Sequence, residues 1–159
     1  MIIKGNLNIW KSSIIDLGNI EKIYGTLEAD DCKNLTSLRK LKYVKSFIHL
    51  NGCKSLKDLG KLTKVMNHLD LGNCDNLKSL ENLKIVKGYL ILPQQIEDLG
   101  ELEEIGTLRA EYCSKLKTLG KLKLIKYGGL IHLNHSGITK EYVIKEKPSL
   151  YHQCKWEIN

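Results

Sequence analysis

Cys32, Cys53 and Cys74 stand 21 residues apart, and each opens the same phrase, Cys-x-x-Leu-x-x-Leu-x-x-Leu-x-x-Val. The phrase returns once more from Cys113, with Ile125 closing it. A fixed period of this length means one structural unit copied and stacked, so the fold follows from the repeat rather than from any single segment.

The unit can be written by its apolar positions. An alternating pair recurs seven times, as Leu7/Ile9, Leu27/Ala29, Ile48/Leu50, Leu69/Leu71, Leu90/Leu92, Leu108/Ala110 and Ile131/Leu133. The first members are separated by 20, 21, 21, 21, 18 and 23 residues. After each of the first six pairs comes a run of four apolar residues spaced by three, as in Leu35-Leu38-Leu41-Val44 and Leu77-Leu80-Leu83-Val86. The fifth repeat lacks the Cys and carries Pro93-Gln94-Gln95 in its place, which accounts for its short step.

Alternation over three or four residues marks a strand with one buried face. The strict spacing of three fits a helix poorly, because 3.6 residues per turn would carry threes around the axis. Glycines argue against a helix as well: Leu-Gly recurs at Leu17-Gly18, Leu59-Gly60, Leu99-Gly100 and Leu119-Gly120, and Gly5, Gly25, Gly88, Gly106 and Gly128 precede strands. The runs are therefore expected to be short extended or 3₁₀ pieces joined by corners. A mainly β fold follows, a right-handed solenoid of six to seven coils of about 21 residues with parallel strands stacked coil on coil and a short C-terminal cap.

The phrase Leu-x-Leu-x-x-Cys-x-x-Leu resembles the leucine-rich repeat, with Leu69, Leu71, Cys74 and Leu77 in the matching positions. The stretch Gly60-Lys61-Leu62-Thr63-Lys64-Val65 is more similar to the receptor L-domain type of leucine-rich β-helix, seen also in bacterial and phage proteins. The resemblance covers residues 3 to about 138 and implies a binding surface rather than an activity. It also implies a small stand-alone binder, for example a bacterial or phage inhibitor that occupies a partner's surface.

One domain is expected, with the solenoid over residues 1–138 and a cap over 139–159. Thr139 is placed to N-cap a short helix ended by Pro148, with Tyr142, Val143 or Ile144 laid over the last coil and Leu150 and Trp156 helping. At the other end the first repeat has almost nothing before it, so its strand edge invites pairing with a second chain. No stretch approaches the length of a membrane span, and the first residues lack the layout of a signal peptide, so the expected location is the cytoplasm. The repeated cysteines read as a ladder of small apolar groups in the core; no Cys-x-x-Cys is present, and no metal or other cofactor is expected.

Two surfaces compete for function. The net charge of +7 comes largely from lysines, and Lys22, Lys42, Lys45, Lys64, Lys84, Lys87, Lys123 and Lys126 fall between the aliphatic positions of one side of the coil. Glu97, Asp98, Glu101, Glu103 and Glu104 interrupt this ladder, and the face has few aromatic or Arg side chains, so nucleic-acid or other polyanion binding is the alternative reading. The leading reading is protein binding through the outward side of the strands, where Phe47, His49, His68, Asp70, Tyr89, Ile91, Arg109 and His132 have no packing duty in the repeat. His49 and Asp70 occupy equivalent positions in adjacent repeats, and with His68 they form a candidate metal or general-base cluster. With no nucleophile in that row and no cleft to exclude water, a non-enzymatic module is expected.

Overall fold

The computed structural model describes residues 1–126 and 129–159. Gly128, one of the strand-preceding glycines, lies outside the described residues. Coils are numbered here by their alternating pairs, Leu7 opening the first and Ile131 the seventh.

Each coil contributes to two parallel ladders. The first ladder stacks β2 (Leu7–Asn8), β4 (Leu27–Glu28), β6 (Ile48–His49), β8 (Leu69–Asp70), the end of β9 (Ile85–Ile91), the end of β10 (Glu104–Arg109) and β12 (Leu130–His132). The second stacks β1 (Ile2–Ile3), β3 (Lys22–Ile23), β5 (Tyr43–Val44), β7 (Lys64–Val65), the starts of β9 and β10, and β11 (Leu124–Ile125). In coils five and six one strand runs through both ladders, and the register slips between Ile105 and Thr107 where the sequence step shortens. The chain is thus a parallel β-solenoid of about seven turns with a spacing of about 21 residues and a short helical cap.

The spacing of three has a turn-based origin. In coil two Leu41 N–H donates to Leu38 O, in coil three Leu56 N–H donates to Cys53 O, and the same i to i+3 bonds recur as Leu62 to Leu59, Leu77 to Cys74 and Leu83 to Leu80. A β-turn returns residues i and i+3 to the same side, so successive turns aim every third residue inward. Leu35, Leu38, Leu41 and Val44 are all fully buried in this way. The corner after the second leucine has positive φ at Gly18, Arg39, Gly60, Glu81, Gly100 and Gly120. That requirement explains the recurrent Leu-Gly, and Arg39 and Glu81 meet it without the freedom of glycine.

Polar side chains hold the same corner. Asp16, Asp58 and Asp98 accept hydrogen bonds from the N–H two residues on, and Ser37, Ser79 and Thr118 do the same in the other coils. Ser37 Oγ also donates to Asp58 at 2.5 Å and Ser79 Oγ to Asp98 at 2.9 Å, so the alternation of Asp and Ser ties coil to coil. Inside, Cys53 Sγ donates to Ala29 O at 3.0 Å and Cys74 Sγ to Leu50 O at 3.1 Å. Each thiol is therefore core filling and a bond to the preceding coil.

The ends differ. In α1 (Lys140–Glu146) Thr139 caps the N-terminus by accepting from Tyr142 N–H, and Val143 is buried. Tyr142 Oη reaches Thr118 Oγ1 at 2.9 Å and accepts from Leu119 N–H at 3.1 Å, so the cap completes the Asp/Ser ladder. Pro148 opens a second short helix, α2 (Pro148–Tyr151), rather than only ending the first, because its missing N–H is harmless in a first turn. A further strand, β13 (Lys155–Glu157), then adds itself to the first ladder beside β12 and puts Trp156 opposite Ile131. In coil one, by contrast, Ile3, Leu7, Ile9 and Ile14 pack on the core but stay partly exposed.

Candidate functional site

The first ladder turns one residue of each coil inward and its neighbours outward. Its central outward row runs Asn8, Glu28, His49, Asp70, Ile91, Arg109, His132 and Glu157 in register. Beside it, on the corner side, lie Phe47, His68 and Tyr89, one per coil. Phe47 and His68 have ring centroids 5.0 Å apart, His68 and Tyr89 4.5 Å, and the Arg109 guanidinium sits 5.8 Å from the Tyr89 ring. His49 stacks on Phe47 at 5.9 Å with the planes 16° apart. Five of the sequence-derived residues, Phe47, His49, His68, Tyr89 and Arg109, therefore form one continuous surface, bordered in the next row by Asp70 and Ile91.

His132 stands apart from that group. Its Nδ1 lies 2.6 Å from Glu157 and 3.7 Å from Glu111, which ties it to the C-terminal strand and leaves its side chain 14% exposed. No sequence period announces that contact, because Glu157 belongs to the cap.

His68 has a local duty besides its place in the stack. Its Nδ1 accepts from Tyr89 N–H at 2.7 Å, which assigns the ring proton to Nε2 and leaves that atom as the outward donor. Burial, and then the nearby His49, pushes its pKa below the ordinary histidine value, so the neutral ring is favoured. Gly88 makes this approach possible: a Cβ there would fall 2.3 Å from His68 Nδ1 and 2.9 Å from the Asn67 carbonyl carbon. Gly25 does the same for Asn6, whose Oδ1 accepts from Thr26 N–H. These two glycines thus admit a side chain that binds an N–H of the next coil.

The carboxylates of the face are partly engaged. Asp70 accepts from Gly72 N–H at 2.8 Å, and Asp30 accepts from Asn51 N–H at 2.7 Å. Burial raises the Asp30 pKa. Although His49 and Asp70 are register neighbours, no hydrogen bond joins them among the described residues, because Asp70 is turned to its own turn. No cluster of three His, Cys, Asp or Glu side chains suited to a metal ion occurs among the described residues.

Charge divides between the sides of the coil. The three outward rows of the first ladder, between coils one and seven, hold Glu28, Asp30, Asp70 and Glu111 against the single cation Arg109, and no lysine. The second ladder carries the lysines expected there, and Lys42, Lys87, Lys121 and Lys123 pair with Glu21, Glu104, Glu101 and Glu103 of adjacent coils. Sequence reasoning underweighted Tyr24 and Tyr43 on this side. Tyr43 is register partner to both Lys22 and Lys64, and Tyr24 packs 6.0 Å from it while 45% exposed. The signal was present as aromatic residues at strand positions whose neighbours in the repeat are lysine.

Fold and surface together define a parallel β-solenoid with two outward faces of different chemistry. No helix among the described residues is long and apolar enough to cross a membrane. Comparison with family models, curated proteins and solved structures finds no match to the chain.

Proposed function

We propose that this protein is a non-enzymatic interaction module, a leucine-rich-repeat-like solenoid that binds another protein through its parallel strand face. The observation that carries the reading is the outward row of half-buried Phe47 and His68 and exposed Tyr89, with Arg109 over Tyr89, on a sheet whose inner side is already filled by Ile48, Leu69, Leu90 and Leu108. Aromatic and Arg side chains free of core duty supply most of the binding energy at typical interfaces. Tyr89 is 47% exposed, so covering it releases ordered water from a large ring without disturbing the core behind it.

The absence of lysine from the face favours a partner whose complementary surface is basic, since Glu28, Asp30 and Asp70 border the aromatic row. The module then acts by occupying that surface. The test is affinity capture from the native cell with the unaltered protein, with Phe47→Ala/Tyr89→Ala and with Lys64→Glu/Lys84→Glu. The reading requires a captured protein that the aromatic double variant loses and the lysine double variant keeps. The opposite pattern overturns it.

A further inference from the structure

We propose that the second ladder, over coils one to four, is a separate binding site for single-stranded nucleic acid. Two rows of side chains leave this face. One runs Ile2, Lys22, Tyr43, Lys64 and Ile85 in strand register. The other, two residues on, runs Lys4, Tyr24, Lys45, Met66 and Lys87. In each row a tyrosine is bracketed by lysines from the coils on either side, about 4.8 Å away along the ladder.

This alternation matches the ligand. A single strand alternates a flat base, which stacks on any aromatic ring, with a phosphate, which any ammonium neutralises. Tyr24 is 45% exposed, and a shallow groove of about 400 Å³ runs between Lys22, Tyr24, Lys42, Tyr43, Thr63 and Lys64. The rings are not needed by the core, because Ile23, Val44 and Val65 close it at 0% exposure. Lys4, Lys22, Lys45, Lys64 and Lys84 form no ion pair among the described residues, whereas Lys87, Lys121 and Lys123 are held by the glutamates of coil five. Those glutamates end the site: Glu104 follows Ile85 in the row, so the cationic track covers coils one to four and stops. A site of this length suits a few nucleotides, within the range of other single-strand sites.

The experiment is fluorescence anisotropy of a labelled 20-nucleotide single strand of mixed sequence against the full chain. It is run at several salt concentrations, beside the same strand as a duplex and beside vesicles of phosphatidylcholine with phosphatidylserine. Binding to the single strand at least tenfold tighter than to the duplex is expected. Tyr24→Ala/Tyr43→Ala should weaken it about tenfold with little change in salt slope, and Lys22→Gln/Lys64→Gln should weaken it and reduce the slope by roughly one to two. Tyr24→Phe/Tyr43→Phe should retain binding, and an unchanged circular dichroism melt shows that each variant is folded. Phe47→Ala/Tyr89→Ala should bind the strand as the unaltered protein does, which separates this site from the strand face. The proposal is overturned by no binding at 100-fold over typical micromolar single-strand affinity, by equal affinity for duplex, by indifference to both tyrosines, or by vesicle binding in place of strand binding.

Discussion

If the four repeat-position cysteines are the core ladder, their thiols should be among the slowest in the protein to react. Cys32, Cys53, Cys74 and Cys113 have no exposed surface, while Cys154 in the cap is partly exposed. Burial pushes the Cys53 and Cys113 thiols up to about 12 and Cys154 up to about 11, and raises Cys74 further. At pH 8 a thiol with a pKa of about 12 is thiolate roughly one part in 10⁴, against about a quarter for an unperturbed thiol near 8.5, so ionisation alone slows attack about 2,000-fold. Access adds a larger factor, because reagent reaches these atoms only when a coil opens. Native protein treated with an excess of a chromogenic disulfide reagent at pH 8 should therefore show one early-reacting thiol, Cys154, and four that appear only as urea unfolds the chain. Peptide mapping after a short pulse identifies them. Labelling of Cys53 or Cys74 at the rate of Cys154 in folded protein would refute the inward ladder.

Leu71→Ala removes a fully buried side chain in coil four and should cost about 2–5 kcal/mol in urea unfolding, with the loss felt in adjacent coils as faster amide exchange. Glu81→Gly should leave stability unchanged or raise it by up to about 1 kcal/mol, because Glu81 holds φ of 47° at a corner where four of the other coils use glycine; Gly60→Ala should be destabilising, since a Cβ there meets Arg39 O at 2.3 Å. The lowered pKa of His68 means that the folded chain takes up its proton less readily than the unfolded one. Its contribution is complete above the unfolded value near 6.5 and is lost as pH falls through the lower folded value, so the melting temperature should fall more between pH 7 and pH 5 in the unaltered protein than in His68→Asn.

Much of this architecture was legible because the repeat writes inward positions directly into the sequence: Leu35, Leu38 and Leu41 are as buried as their spacing requires. Leu-Gly announced a corner, yet Arg39 and Glu81 occupy the same positive-φ position without glycine, since the stacked neighbours fix the turn whichever residue fills it. The spacing of three looked like short extended or 3₁₀ pieces, whereas the hydrogen bonds make it a succession of turns. The strand-face group was readable from alternation alone, because period two assigns Phe47, His68 and Tyr89 outward. What escaped was everything set by contact between distant segments. Glu157 reaches His132 only because β13 joins the ladder, and that strand has no repeat to announce it. Tyr24 and Tyr43 fall two positions apart in the repeat, so their contact across adjacent coils is visible only once the register is known.

The claim that the strand face is the protein-binding surface is tested most directly by titration calorimetry of the captured partner against a small set of variants. Tyr89→Ala and Arg109→Ala remove exposed side chains with no core duty, and each should weaken binding by about 2 kcal/mol or more, roughly thirtyfold, while thermal melting is unchanged. Lys64→Glu/Lys84→Glu, on the other ladder, should leave that affinity within twofold. A partner affinity lost with the lysine pair and kept with Tyr89→Ala and Arg109→Ala would contradict the account.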